Sequence, residues 1–279
     1  MTRGGRHAVL AIGAVALAAV FVPLLAVKDP LAIEDVLATR LAAPFSRDGD
    51  GIFHVLGTDR FGRDLFVRTL LAARISLVVG VAGSLIATGL GVAIGAVSGW
   101  LGGVVDRLLM SLADALLAIP RLVLLLLCVA LWAPGLGTVI VVLSVTGWMS
   151  VARLVRADVQ GLCSAGFVDA SRTLGAPGLR TLLRHVVPNA TSGAMVAATL
   201  GVGNAILLES GLAFLGLGVQ PPTPSWGNMI AGGRDLIVTA PWVALAPGLA
   251  LIVTVLLCTV IGDGLRSRAG VPRSLGDRT

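Results

Sequence analysis

Long, uninterrupted apolar runs constrain this chain more than any other feature. Stretches of about twenty apolar residues recur along it, and about twenty is the length at which a helix crosses the hydrocarbon core of a bilayer. No water reaches that core, so a spanning segment has to satisfy its own backbone N–H and C=O groups. Only helices and closed barrels do so. The short strands of alternating polarity that mark a barrel are missing from the sequence, and the expectation is an all-α polytopic membrane protein. Composition agrees. Of the 279 residues, 56% are apolar and 13% charged, and the mean hydropathy is +0.94. With 15 acids and 21 bases the chain cannot cover the surface of a soluble domain of this size.

Six spans are expected: Ala8–Val27, Ile75–Gly99, Leu108–Leu131, Leu136–Ala152, Ala190–Leu217 and Pro241–Ile261. Trp100, Trp132 and Trp242 fall at span ends, where amphipathic rings settle at the interface. The first run follows Arg3, Arg6 and His7, so a secretory signal peptide is its alternative reading. Orientation follows from basic residues. Past residue 132, Arg153, Arg156, Arg172, Arg180, Arg184, Arg266, Arg268, Arg273 and Arg278 fall on one side and Arg234 on the other. Both termini are therefore expected in the cytoplasm. The bases of the first loop, Lys28–Arg74, argue the other way, but six spans and a basic tail fix the parity. The expected division is residues 1–27 as tail and first span, and 28–74 as an extracytoplasmic loop with an interfacial helix. Residues 75–265 are the core, with a cytoplasmic loop at 153–189, and 266–279 are a cytoplasmic tail.

The residue inventory excludes several chemistries. Lys28 is the one lysine, in Ala26-Val27-Lys28-Asp29, so there is no Gly-Lys-Ser/Thr loop to cradle a nucleotide phosphate. Cys128, Cys163 and Cys258 are far apart, and His7, His54 and His185 have no metal-ligand spacing. No catalytic constellation lies within the spans, which argues against a membrane-embedded enzyme. A self-powered secondary transporter or channel remains as a rival at this point.

Three features inside the core stand out. Gly83, Ala87, Gly91, Gly95 and Gly99 recur every four residues, a small-residue stripe that lets another helix approach backbone to backbone. It serves either internal packing or a dimer contact. Asp114, Asn204 and Glu209 are intramembrane polar groups and hence candidates for a solute path. Asp114 precedes Arg121 by two turns, with Pro120 between. In the first loop Asp59/Arg63, Arg60/Asp64 and Asp64/Arg68 are spaced i, i+4, as on a charge-laced helix.

The basic loop is the most informative stretch. Phe167, Ala170 and Leu174 share one helical face; Leu179, Leu182, Leu183 and Val186 share another. Gly175 suits a helix C-terminus, Pro177 a new first turn, and Pro188 is expected to stop the second helix. Two amphipathic helices this short need either a membrane surface or a groove in another protein. Asp169-Ala170-Ser171, then Gly175, then Pro188 resemble the EAA loop of bacterial ABC importer permeases. The family pattern is Glu-Ala-Ala, three residues, Gly, nine residues, a hydrophobic residue, any residue, Leu, Pro. Asp169 and Ser171 stand for Glu and the second Ala, and His185 and Val187 stand at the two late apolar positions.

Further stretches look like the peptide branch of that family, its second (C-type) permease in particular. They are Gly57-Thr58-Asp59-Arg60-Phe61-Gly62-Arg63-Asp64, Ala73-Arg74-Ile75-Ser76-Leu77, the run Glu209–Asn228, Pro247-Gly248-Leu249-Ala250 and Gly262-Asp263-Gly264-Leu265-Arg266. The branch's usual Asp-Ala-Leu-Asp-Pro after the final Arg is replaced by Ser267–Pro272. The resemblance implies a type I ABC importer permease fold and import of di- or oligopeptides, with nickel or another small solute as the alternative. Asp169, Ala170, Ser171, Gly175, Leu179, Leu182, Leu183 and Pro188 would then form the loop that seats in an ATPase. The chain itself would bind no cofactor, because ATP and Mg would lie on partner ATPase subunits. Implied partners are a second homologous permease, two ATPases, an extracytoplasmic binding protein and the lipid of a bacterial inner membrane, with no nucleic acid. The stiff outward loop at Pro221, Pro222 and Trp226 is the expected docking point for the binding protein.

Overall fold

The computed structural model describes residues 3–24, 36–49 and 51–267. The end of the expected first span, the start of the first loop and the tail from residue 268 lie outside the described residues. The chain is a helical bundle. Helix α1 spans Arg3–Phe21, and a single turn α2 spans Val36–Thr39. A two-residue hairpin follows, β1 (Ser46–Arg47) paired antiparallel with β2 (Phe53–His54). Helix α3 spans Leu65–Leu101, α4 Gly103–Leu117, α5 Arg121–Ala130, α6 Leu136–Val145 and α7 Trp148–Cys163. Then come α8 (Gly166–Thr173), α9 (Gly178–Thr181), α10 (Val187–Phe214), α11 (Trp226–Gly233) and α12 (Trp242–Arg266).

Among the described residues five helical segments are long and apolar enough to cross a membrane, and counting the bent pair α4–α5 as one span gives the expected six. That third span is broken. Its halves meet at 92°. The cause is Pro120, the N-cap of α5 with an extended ψ of 125°, which has no N–H to continue the ladder and excludes the helical turn before it. The second span begins ten residues before Ile75, at Leu65, because Asp64 caps it: the carboxylate accepts from the Val67 N–H at 2.9 Å.

Expectation and structure also part in the first loop. Residues 57–64 are not a helix. Gly57 (φ 79°) and Gly62 (φ 75°) are left-handed, and Asp59 Oδ1 accepts from the N–H groups of Phe61 and Arg63. A side chain that satisfies the local backbone in this way competes with helix formation. Asp59 does pair with Arg63, at 2.8 Å. The other two carboxylate–arginine pairs give way to the Asp64 cap and to a contact between Asp59 and Arg68 at 3.6 Å.

The small-residue stripe packs inside the chain. A Cβ on Gly91 would meet Val151 at 2.5 Å, one on Gly95 the Ala152 carbonyl at 2.5 Å, and one on Gly99 the Arg156 carbonyl at 2.9 Å. The backbones of α3 and α7 therefore touch along the stripe, and α7 is its partner. Polar ties reinforce the bundle. Ser84 Oγ donates to the Ala198 carbonyl at 2.6 Å, joining α3 to α10. Arg74 donates to the last carbonyls of α1, at Ala19 and Val20, both at 2.6 Å, a favourable place for a cation.

Candidate functional site

At one end of the bundle α7 leads into the α8–α9 loop, and its inner face is firmly seated. Val168, Leu182 and Val186 are buried with Val155 and Val159 of α7, and Ser171 Oγ lies 2.9 Å from Thr181 Oγ1, tying α8 to α9. The turn between them closes as a Schellman motif. Gly175 has φ 75°, and the Ala176 N–H reaches back to the Ser171 carbonyl at 3.1 Å. The outer face is a different surface. Phe167, Leu174, Leu179 and Leu183 are exposed, Leu174 to 86% and Leu179 to 67%. The stripe expected from Leu179 to Val186 is thus divided: Leu182 and Val186 face inward, Leu179 and Leu183 outward.

Pro188 does not stop the helix. A π-turn at Leu182–Val186, in which the Val187 N–H bonds the Leu182 carbonyl five residues back, precedes it. The wide turn resets the ladder so that Pro188 falls in the first turn of α10, where its missing N–H is not needed. The loop and the fifth span are therefore one continuous helical segment, Gly178–Phe214.

At mid-bundle, residues of α3, α5, α6, α7 and α10 line a half-open cavity of about 350 Å³. Ser84, Thr88, Arg121, Ser150 and Asn204 supply its polar lining. Asn204, a candidate path residue, is on the wall of this cavity. Asp114 is half-exposed on α4 and forms an ion pair with Arg153 of α7, beside a bidentate pair between Asp106 and Arg156 at 2.5 and 2.6 Å. Sequence reasoning weighed Arg121 only as a partner for Asp114 and missed its place on the cavity. The signal was available: an arginine directly after a helix-breaking proline inside an apolar run.

Glu209 is elsewhere. It is 0% exposed, and its Oε1 accepts from Ser225 Oγ at 2.8 Å. Ser225 also heads the capping box of α11 with Asn228. In this conformation the carboxylate is not on the cavity; it pins α11 to α10. Trp226 is also corrected. Only 1% of it is exposed, and its ring N–H donates to the Thr69 carbonyl at 2.9 Å, so it is an anchor and not a docking surface. Pro221 and Pro222 are exposed beside Arg60 and Phe61 on a cleft of about 530 Å³ at the end opposite the α8–α9 loop.

At that same end His54 is buried between two carboxylates, Nδ1 at 2.6 Å from Asp64 and Nε2 at 3.0 Å from Asp48. Burial works against its charged form, but the hydrogen bonds and charges of the two aspartates outweigh it, and the His54 pKa is raised above 6.5.

Comparison with known proteins places this architecture. Residues 91–269 match the family described as "Binding-protein-dependent transport system inner membrane component". An oligopeptide transport system permease protein (OppC) of Bacillus subtilis is 42% identical over 213 residues, 76% of this chain and 70% of that one. The dipeptide permease protein DppC of the same organism is 42% identical over 214 residues, 76% and 67% of the two chains. A di/tripeptide permease protein of Pseudomonas aeruginosa is 39% identical over 248 residues, 89% of this chain and 81% of that one. In structure, an inward-facing form of the MetNI methionine ABC transporter superposes with a TM-score of 0.61 at 19% identity, over 72% of this chain and 96% of that one. The chain belongs to the family of binding-protein-dependent transport system inner membrane components, the permease subunits of ABC importers.

Proposed function

We propose that this chain forms half of the translocation path of a peptide importer and is driven through its α8–α9 loop by a partner ATPase. The observation that carries this reading is the exposed apolar face of Phe167, Leu174, Leu179 and Leu183. It lies on the same loop as the EAA-like residues Asp169, Ala170, Ser171, Gly175 and Pro188. An outward greasy face on a loop whose inner face is already packed suits a groove in another protein. Peptides are the proposed cargo because the relatives named above are peptide permeases.

In this reading the loop end faces the cytoplasm, together with both termini, and residues 28–74 lie outside. A second permease completes the path. ATP and Mg bind the ATPases, whose differing affinity for two states of the permease rocks the bundle. An extracytoplasmic binding protein docks at the opposite end, over Pro221, Pro222 and the Arg60–Phe61 turn. The mid-bundle cavity with Asn204 belongs to the route. Asp114 contributes there through its ion pair with α7, which leads into the loop.

The test is reconstitution. The complex purified through this chain should bring down two ATPase subunits and a second permease. In proteoliposomes with its binding protein it should accumulate labelled dipeptide only with ATP. Uptake of nickel but not peptide overturns the cargo assignment. Uptake by this chain alone, without an ATPase, overturns the coupling assignment.

A further inference from the structure

The geometry points to Arg121 as the group that receives the carboxylate of the cargo inside the membrane, with Asn204 and Ser150 as its hydrogen-bonding surround. This rests on the peptide reading above. The cavity they line is at mid-depth: Ser84 and Thr88 lie near the middle of α3, and Ser150 near the middle of the span Leu136–Cys163. A cation at that depth is costly and is ordinarily paired. Arg121 is not matched by an acid: no carboxylate lines the cavity among the described residues. Its Nε is buried without a hydrogen-bond partner. Asp114, the nearest acid in sequence on the same broken span, is taken up by Arg153.

The backbone adds to the positive field. Arg121 is the first residue of α5, a ten-residue helix, so its guanidinium stands at the end where the helix dipole is already positive. Helices in general place acids there, and a cation is unfavourable unless an anion arrives. Broken membrane helices whose half-helix N-termini meet an anionic group on the solute are a recurring way to build such a site. Gly147 lets the guanidinium lie close against the α6–α7 junction, since a Cβ there would stand 3.1 Å from Arg121 Nη2.

The ligand chemistry follows. A guanidinium with free donors binds a carboxylate in a planar, two-pronged manner, and Asn204 and Ser150 supply further donors. Every unmodified peptide carries one such group at its C-terminus whatever its side chains, so recognition of this kind admits many sequences. The site would read the invariant end of the cargo and leave the variable part to the rest of the path.

The test uses the whole complex in nanodiscs, without nucleotide or binding protein, and measures retention of radiolabelled dialanine and of its C-terminal amide. Wild-type complex should retain the free acid at least ten-fold better than the amide. Arg121→Gln should lower retention of the free acid about ten-fold and leave the weak retention of the amide unchanged. Arg121→Lys, which keeps the charge but not the fork, should fall between. Subunit copurification, expected unchanged, separates this from misfolding. Equal retention of acid and amide by wild type, or equal loss of both in Arg121→Gln, overturns the inference while the peptide reading stands. A wild-type complex that neither retains nor imports peptide overturns both.

Discussion

At the scale of single residues, polar groups in this chain are placed where a specific backbone or charge needs them. Glu209 and Trp226 were candidates for meeting solute and binding protein. Both instead hold α11 in place, through Ser225 and through Thr69. Sequence position identified them as unusual, because an acid within an apolar run demands a partner. It did not name the partner, which is sixteen residues away and reached only when the 215–225 turn folds back. His54 makes the same point at the start of α3. Its raised pKa means the folded state binds the proton more tightly than the unfolded chain. The stability it contributes is therefore fully present below pH 6.5 and is lost as pH rises through the higher folded value. Hydrogen exchange of the β1–β2 hairpin should accelerate above that pH, beyond the intrinsic chemical rate. His54→Gln should remove the extra dependence; an unchanged profile in that variant would mean the clasp does not control the hairpin.

Among elements, the contact between α3 and α7 sets the frame, because α7 carries the loop and α3 runs the full depth of the bundle. The four-residue spacing of small residues was legible in the sequence, but its partner was not, since a stripe of glycine does not say which helix it receives. The structure makes the cost of filling it specific. Gly95→Ala puts a methyl 2.5 Å from the Ala152 carbonyl, an overpacking that should cost about 1–3 kcal/mol. Gly89→Ala, on the same helix with open space around it, should be neutral or slightly stabilising. Thermal unfolding of the detergent-purified complex would show the two variants diverging; equal melting temperatures would deny the close approach. The break in the third span belongs to the same scale. Pro120 announced a bend, but that the halves separate by 92° and turn Arg121 into the cavity depends on what surrounds them.

For the whole molecule, the question is how a loop at one end is joined to a cavity at the centre. The α8–α9 loop is packed on α7 and runs through the π-turn into α10 without interruption, and both α7 and α10 contribute cavity wall. Ion pairs from α7 to α4 reach the broken span as well. A push on the loop therefore moves elements that border the route. If the ATPase seats on the outer face, Ala170→Glu places a desolvated charge at that contact and should lower peptide uptake at least ten-fold while ATP hydrolysis continues. Gly175→Ala, forced into a left-handed conformation that costs about 1–2 kcal/mol, should lower uptake by a smaller factor. Full coupling in Ala170→Glu, measured as peptide moved per ATP hydrolysed, would remove the loop from the mechanism.

What the chain declares in one dimension is its solvent and its count of crossings. Twenty-residue apolar runs and their flanking tryptophans follow from local composition, and so do the amphipathic loop and its glycine turn. These depend on neighbours a few residues apart, which the sequence displays directly. Three-dimensional packing decided which side of each helix met which partner. It buried Glu209, paired Asp114 with Arg153, divided the loop's leucines between core and surface, and set Arg121 on the wall of the mid-bundle cavity. Such outcomes are set by groups tens or hundreds of residues apart, and a helix inside a bilayer gives little warning of them because all its faces are apolar.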